Sequence, residues 1–387
     1  MYSRRTLLRA AGSAAIGGLL AACSDDRAGT VTLEPATDRA GTTTVAQPVV
    51  TPESSTEQST TSAPVASPTT PPATAAPPSS STSANAVAEP WSGADFAELD
   101  EFLSDTNGEA LGIVERGVTV HEWYRTDATY ARDIASAQKS VLSLVVGRAI
   151  ADGLFGMDTL IDDVLGTGWT PHGQTSGVTV QHLLTMTSGL DDRLALVAAP
   201  GTTWLYSGAF AQLFEVLRVT TGREVDDLAG EWLFGPAGAD SAVLYERRTD
   251  EFAPIGMRAT AIDLTKIGQI VLDRSQPGLP QQWLDESFAS SQPFNASYGY
   301  LWWLNGQASF MLPGPTPKAR PGSLIPTAPV DLVAALGKDD QKLYVSPALD
   351  LVVARLGDKA DPVSRPALST FDAALWAMLE RLRSASA

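Results

Sequence analysis

The residues with the clearest chemical potential begin at Ser136. In Ala135-Ser136-Ala137-Gln138-Lys139-Ser140 a serine stands three residues before a lysine, and an apolar run, Val141 to Val146, follows. Positions three apart share a helix face, so the Lys139 ammonium would lie one turn from the Ser136 hydroxyl. A hydroxyl at a helix start also meets free backbone donors and the positive end of the helix dipole. Serine is a weak nucleophile until a base takes its proton, and a partly buried lysine with a lowered pKa can be that base. The competing use of Ser136 is to cap the helix. The chain has only six lysines, of which Lys139 is the first, and that weighs against a chance pairing. Other chemistries are poorly supplied. A single cysteine, Cys23, excludes an internal disulfide and a Cys-based zinc site. His121, His172 and His182 lack the spacing of a metal-binding helix or finger, so neither metal nor cofactor is expected.

Elements that could position this pair are found only after residue 90. All nine tryptophans lie from Trp91 onward, whereas Ser24 to Pro90 is rich in Thr, Ser, Pro and Ala and has no aromatic residue and no lysine. Such a stretch cannot bury enough apolar surface to offset the entropy of ordering it, so residues 23–90 are expected to be a disordered tether and 91–387 the folded body. Within the body the spacing predicts a helix over Ala94 to Leu103 and two strands, Gly112 to Arg116 and Val118 to Trp123, joined through Gly117. Helical periodicity follows at Ser140 to Ala151, His182 to Met186, Ala209 to Val219, Val225 to Leu233 and Leu264 to Val271. Val330 to Leu336, Lys342 to Ser346 and Leu351 to Arg355 read as a meander with turns at Gly337 to Asp340 and Pro347 to Asp350, before a last helix near Pro366 to Arg383. The expected fold class is α+β: one antiparallel sheet built from both chain ends and flanked by helices, with an inserted helical lobe.

The first 22 residues read as an export signal. Arg4 and Arg5 open a basic start and Ala10 to Ala22 is a weakly apolar run. As a helix that run spans about 20 Å, short of the ~30 Å hydrocarbon core. The start resembles a twin-arginine signal, with ordinary Sec export fitting too, and Leu20-Ala21-Ala22-Cys23 resembles a bacterial lipobox whose cysteine is acylated. The mature protein is therefore expected at the outer face of a bacterial cytoplasmic membrane, held by a lipid on Cys23. Its net charge of −17, which becomes −20 without Met1 to Ala22, makes it a poor partner for nucleic acid.

Ser136 to Lys139 resembles the active-site motif of the serine β-lactamase and penicillin-binding protein superfamily. Val178 to Leu190 is similar to the helix-and-turn segment of its class C-like branch, which includes carboxylesterases, D-aminopeptidases and 6-aminohexanoate-dimer hydrolases. Pro200 to Gly208 resembles the branch's Tyr-x-Asn segment, and Tyr298 to Trp303 its late aromatic stretch. By that resemblance Ser136 is the acylated nucleophile, Lys139 its proton acceptor, and Tyr206 a second acid/base whose phenol would need a pKa lowered by a cation such as Lys139. Two positions depart from the pattern. Gly208 stands where the family has Asn, and Gly337 to Gln341 replaces its Lys-Thr-Gly or His-x-Gly strand motif. There Lys338 preserves a cation, Asp340 would set a negative charge beside the substrate, and Gln341 would lend a backbone N–H to an oxyanion hole with Ser136. His182 and Gly189 read as structural, the glycine as the end of its helix. Trp302 and Trp303 either wall an acyl pocket or pack the core. The implied activity is hydrolysis of a small-molecule ester or amide through an acyl-enzyme, with cell-wall material as one source. A D-alanyl-D-alanine carboxypeptidase or β-lactamase, and a non-catalytic cell-wall binder, remain as alternatives.

Overall fold

Strands from both ends of the body meet in one sheet. The computed structural model describes residues 91–173, 177–247, 255–314, 316–360 and 370–384. The expected export signal, the tether, Cys23 and the start of the last helix at Pro366 lie outside these residues. Helix α1 (Ala97–Asp105) leads into β1 (Gly108–Glu115) and β2 (Val118–Tyr124), which turn back on each other through Gly117. The late strands are β9 (Val333–Leu336), β10 (Lys342–Ser346) and β11 (Leu351–Gly357). With β6 (Trp303–Leu304) they form an antiparallel sheet in the order β2-β1-β11-β10-β9-β6. The fold is α+β, as expected.

Both faces of this sheet are covered, which is why β10 and β11 are buried along their whole length. On one face Leu343, Val345 and Val352 lie against Gly268 of α8 (Ala261–Leu272), whose first turn is capped by the Thr260 hydroxyl accepting from the Asp263 N–H at 3.1 Å. Strand alternation turns Lys342, Tyr344 and Arg355 to the opposite face, under α10 (Thr370–Ser384). There the Lys342 ammonium lies 3.1 Å from Asp372, the Tyr344 hydroxyl donates to the same carboxylate at 2.5 Å, and Arg355 stacks on Phe371. Buried charges are tolerated when each has a partner, and here a second carboxylate, that of Asp340 at 3.2 Å from Lys342, balances the two cations.

The inserted lobe is helical: α2 (Gln138–Ala151), α3 (Ile161–Leu165), α4 (Val180–Leu184), α5 (Gln212–Thr221), α6 (Val225–Ala229), α7 (Gly235–Ala237) and, after α8, α9 (Gln281–Ser287). Helix α2 is buried on nearly every side, so its sequence is apolar with little amphipathic bias. Besides a two-stranded pair, β7 (Ser309–Phe310) with β8 (Arg320–Pro321), the lobe carries an unexpected small sheet, β3-β5-β4. Its strands are β3 (Ala131–Asp133), β4 (Val243–Glu246) and β5 (Ile255–Thr260), and β3 ends three residues before Ser136.

Gly189 does not end α4, contrary to the sequence reading. That helix stops at Leu184, and the left-handed residue after its cap is Met186, with φ of +58°. Gly189 also has a positive φ of +71°, but its need is space: a Cβ there would lie 2.0 Å from the Ala198 carbonyl oxygen.

Candidate active site

Strand β3 delivers the chain to a tight turn in which Ala135 holds a left-handed φ of +51°, and a single 3-10 turn, Ala135–Ala137, opens onto α2. Ser136 therefore precedes the helix proper. The cap position of α2 is Ala137 and Ser136 makes no capping bond, so the competing capping role is not the one it takes. Its hydroxyl instead receives a hydrogen bond from the Lys139 ammonium, with Oγ and Nζ 3.0 Å apart. Lys139 is only 5% exposed. Its Nζ lies 4.0 Å from the ring centre of Phe210 and 4.7 Å from that of Tyr206, a geometry in which two aromatic faces attract the cation.

Tyr206 reaches the same serine. Its segment is tied to the loop after α4 by the Leu205 N–H donating to the Met186 carbonyl at 2.8 Å and the Gly201 N–H donating to Thr187 at 2.8 Å. The ring stacks on Trp303 at 6.0 Å and meets Tyr298 edge-on at 6.1 Å. Trp303 thus supports Tyr206, while Trp302 packs in the core against Phe288. Burial pushes the Tyr206 phenol up to about 12, and its hydrogen bond with Ser136 offsets this only in part. This reverses the expected lowering, because burial of the phenol dominates. At neutral pH Tyr206 is a proton donor.

The end of β9 forms the third side of the site. A Cβ on Gly337 would lie 2.2 Å from the carbonyl oxygen of Ile134, two residues before Ser136, so only glycine lets the strand pass this close to the nucleophile turn. The Gly337 N–H donates to the Gln341 carbonyl at 2.8 Å, which by strand alternation turns the next amide, that of Lys338, away from β10. Lys338 itself is exposed.

One expectation for this hairpin is corrected, that for Asp340. Gln341 faces Gly337 across the turn and is buried. Its side-chain N–H groups go to the carbonyls of Asp339 (2.8 Å) and Gly357 (2.6 Å), so the residue braces the hairpin. Asp340 does not set its charge beside the substrate. Asp339 and Asp340 both have φ of +59°, two left-handed positions in the three-residue turn that joins Gly337 to Gln341. The turn directs the Asp340 carboxylate inward, where it is 3% exposed, 3.2 Å from Lys342 Nζ, and accepts from the Ala360 N–H at 3.0 Å. Arg355 donates to the carbonyls of Asp339 and Asp340 at 3.2 and 3.0 Å, and burial lowers its guanidinium to about 10.

Gly208 supplies no side chain two residues after Tyr206, but its N–H donates to a carboxylate oxygen of Asp192 at 2.8 Å. The sequence reading missed Asp192, which is exposed in the loop after Gly189. It also missed Phe210, which lies on the 3-10 turn Gly208–Ala211 that leads into α5. His182 is structural: Thr179 and His182 form a reciprocal cap at the start of α4. Among the described residues no group of three or more His, Cys, Asp or Glu could hold a metal ion, and no helix is long and apolar enough to cross a membrane.

Residues 97–375 match the sequence profile of the family described as Beta-lactamase. Among solved structures, a putative β-lactamase from Bacteroides dorei superposes with a TM-score of 0.58 at 15% identity, covering 75% of this chain and 99% of that one. A putative 6-aminohexanoate-dimer hydrolase from Bacillus anthracis gives 0.54 at 19% identity, covering 74% and 80%. A hydrolase with promiscuous acyltransferase activity gives 0.53 at 13%, covering 67% and 91%. No curated protein matches the chain. Identities this low speak for the fold, whereas the profile match spans most of the folded body: the chain belongs to the beta-lactamase family, within the serine β-lactamase and penicillin-binding protein superfamily of serine hydrolases.

Proposed function

We propose that this protein cleaves an ester or a small amide through an acyl-enzyme on Ser136, as an exported enzyme held to the outer face of the cytoplasmic membrane by a lipid on Cys23. The observation that carries the catalytic reading is the 3.0 Å contact of Ser136 Oγ with Lys139 Nζ, on a hydroxyl that Tyr206 also bonds. Lys139 in its neutral form takes the Ser136 proton as the oxygen attacks the substrate carbonyl. The N–H groups of Ser136 and Lys338 receive the developing oxyanion. Tyr206 gives its proton to the departing oxygen or nitrogen and regains one from the Lys139 ammonium, so acylation ends with both groups neutral. Water then attacks the acyl carbonyl by the reverse proton route, and the acid product leaves.

Support for an ester or small amide over a β-lactam comes from Gly208, which offers no amide to a substrate side chain. The test is p-nitrophenyl butyrate hydrolysis by the purified protein and its Ser136→Ala variant. Turnover by the wild type that Ser136→Ala abolishes supports the proposal, and equal turnover by both removes it.

A further inference from the structure

Asp133 and Arg247 are 114 residues apart in sequence, on β3 and just after β4, yet their side chains meet beside the nucleophile turn. Arg247 Nε donates to Asp133 Oδ2 at 2.8 Å and Nη2 to Oδ1 at 2.6 Å, a two-point fork that fixes the carboxylate plane. The Tyr245 hydroxyl donates to the same carboxylate. Asp133 Oδ1 in turn accepts from the Ala135 N–H at 2.7 Å. Gly256 of β5 lies beneath this group. A Cβ there would come within 2.7 to 2.9 Å of the Arg247 guanidinium, the Tyr245 ring and the Asp133 carboxylate, so a bare backbone is what lets the three side chains lie across the small sheet.

The bonded N–H belongs to Ala135, whose left-handed φ of +51° is unfavourable for any residue with a side chain. Ser136 follows directly. The direction in which α2 starts, and hence the register of Ser136 against Lys139, depends on that one residue keeping its conformation. A second strut comes from the same hairpin: the Ile255 carbonyl accepts from Arg247 Nη1 at 3.3 Å and from the Gln138 side-chain amide at 2.8 Å, and Gln138 sits between Ser136 and Lys139.

We infer that Asp133 and Arg247 are positioning residues for acylation: their ion pair clamps Ala135 in its left-handed conformation and so holds Ser136 Oγ in reach of Lys139. The inference rests on Ser136 being the nucleophile. Neither side chain touches the reacting atoms. Burial would raise the Asp133 carboxyl, but Arg247, Tyr245 and the Ala135 N–H override it and hold it below its usual range, which keeps the pair ionised at neutral pH.

The test measures the rate at which a fluorophosphonate labels Ser136, together with kcat and KM on p-nitrophenyl butyrate, in the wild type, Asp133→Asn, Arg247→Lys and Arg247→Ala. Asp133→Asn and Arg247→Ala should lose about 10²-fold in labelling rate and in kcat, with KM changed by less than about twofold, since misplacement by an ångström has that scale of effect. Methylguanidinium should restore part of the rate to Arg247→Ala and none to Asp133→Asn. Rates corrected for the folded fraction separate misplacement from unfolding, and Arg247→Lys, which keeps the cation without the fork, serves if the other variants do not fold. Wild-type labelling and kcat in the folded variants, with only a lower melting temperature, would overturn the clamp. A wild type that is not labelled overturns the nucleophile assignment and the clamp with it.

Discussion

Replacing Tyr206 with phenylalanine removes one oxygen and leaves the ring. The Lys139 cation still faces it at 4.7 Å, and Trp303 and Tyr298 still pack on it at 6.0 and 6.1 Å. The lost bond to Ser136 should change stability by about 1 kcal/mol or less, a shift of a few degrees at most in melting temperature. Turnover should respond far more. With its phenol pushed up to about 12, Tyr206 is protonated at neutral pH and acts as a general acid, a role that contributes roughly 10²- to 10⁴-fold. The leaving group sets how much of this is needed. p-Nitrophenolate departs without a proton and an alkoxide does not. Tyr206→Phe should therefore lose about tenfold in kcat/KM on p-nitrophenyl butyrate and about a thousandfold on ethyl butyrate. The assay compares kcat/KM for both esters in the two proteins, with a thermal melt of each. Equal losses on the two esters, or activity kept on both, would refute proton donation by Tyr206.

Asp372→Ala should be strongly destabilising, because it leaves Lys342 and Arg355 buried with only Asp340 between them. The expected cost is about 3–5 kcal/mol, a fall of roughly 10 °C in melting temperature, and an unchanged melt would show that the network contributes nothing. The folded Tyr206 phenol binds its proton more tightly than the unfolded one. Its contribution to stability is complete below the unfolded value of about 10 and is lost as pH rises from about 10 to 12. Denaturation midpoints over that window should fall less steeply for Tyr206→Phe than for the wild type. Esters should be turned over faster than nitrocefin, and Asp340→Gly should leave the nitrocefin rate within about twofold, since the Asp340 charge is already buried against Lys342. A large gain would return that charge to the substrate. If Cys23 is acylated, the native protein should partition into detergent and Cys23→Ala should not, as seen by phase separation and blotting.

The parts of the fold legible in the sequence were those in which local pattern and tertiary environment agree. Lys342 to Ser346 was read as a strand with the bounds found, and the turns at Gly337 to Asp340 and Pro347 to Asp350 carry the glycine, proline and aspartate that such turns use. The small sheet was missed because β3 has three residues and β5 runs straight into α8 with no break between Thr260 and Ala261. In the site, the Ser136 and Lys139 pairing was visible as a spacing because both lie within one turn of chain. The sign of the Tyr206 shift was not, since it depends on how completely the phenol is buried, which only packing decides. Asp340 was misread for a related reason: a sequence shows that a charge is present but not which way a left-handed turn points it. The Asp133 and Arg247 pair, separated by most of the lobe, leaves no local trace.

Every step proposed for this site passes through a covalent acyl-enzyme on Ser136. Rapid acid quenching of the protein during turnover of a slowly deacylating ester, followed by peptide mass spectrometry, tests it most directly. One acyl group per molecule is expected, on the peptide containing Ser136, and none on Ser136→Ala. An acyl group on another residue, or ester turnover with no acylated peptide at any quench time, would contradict it.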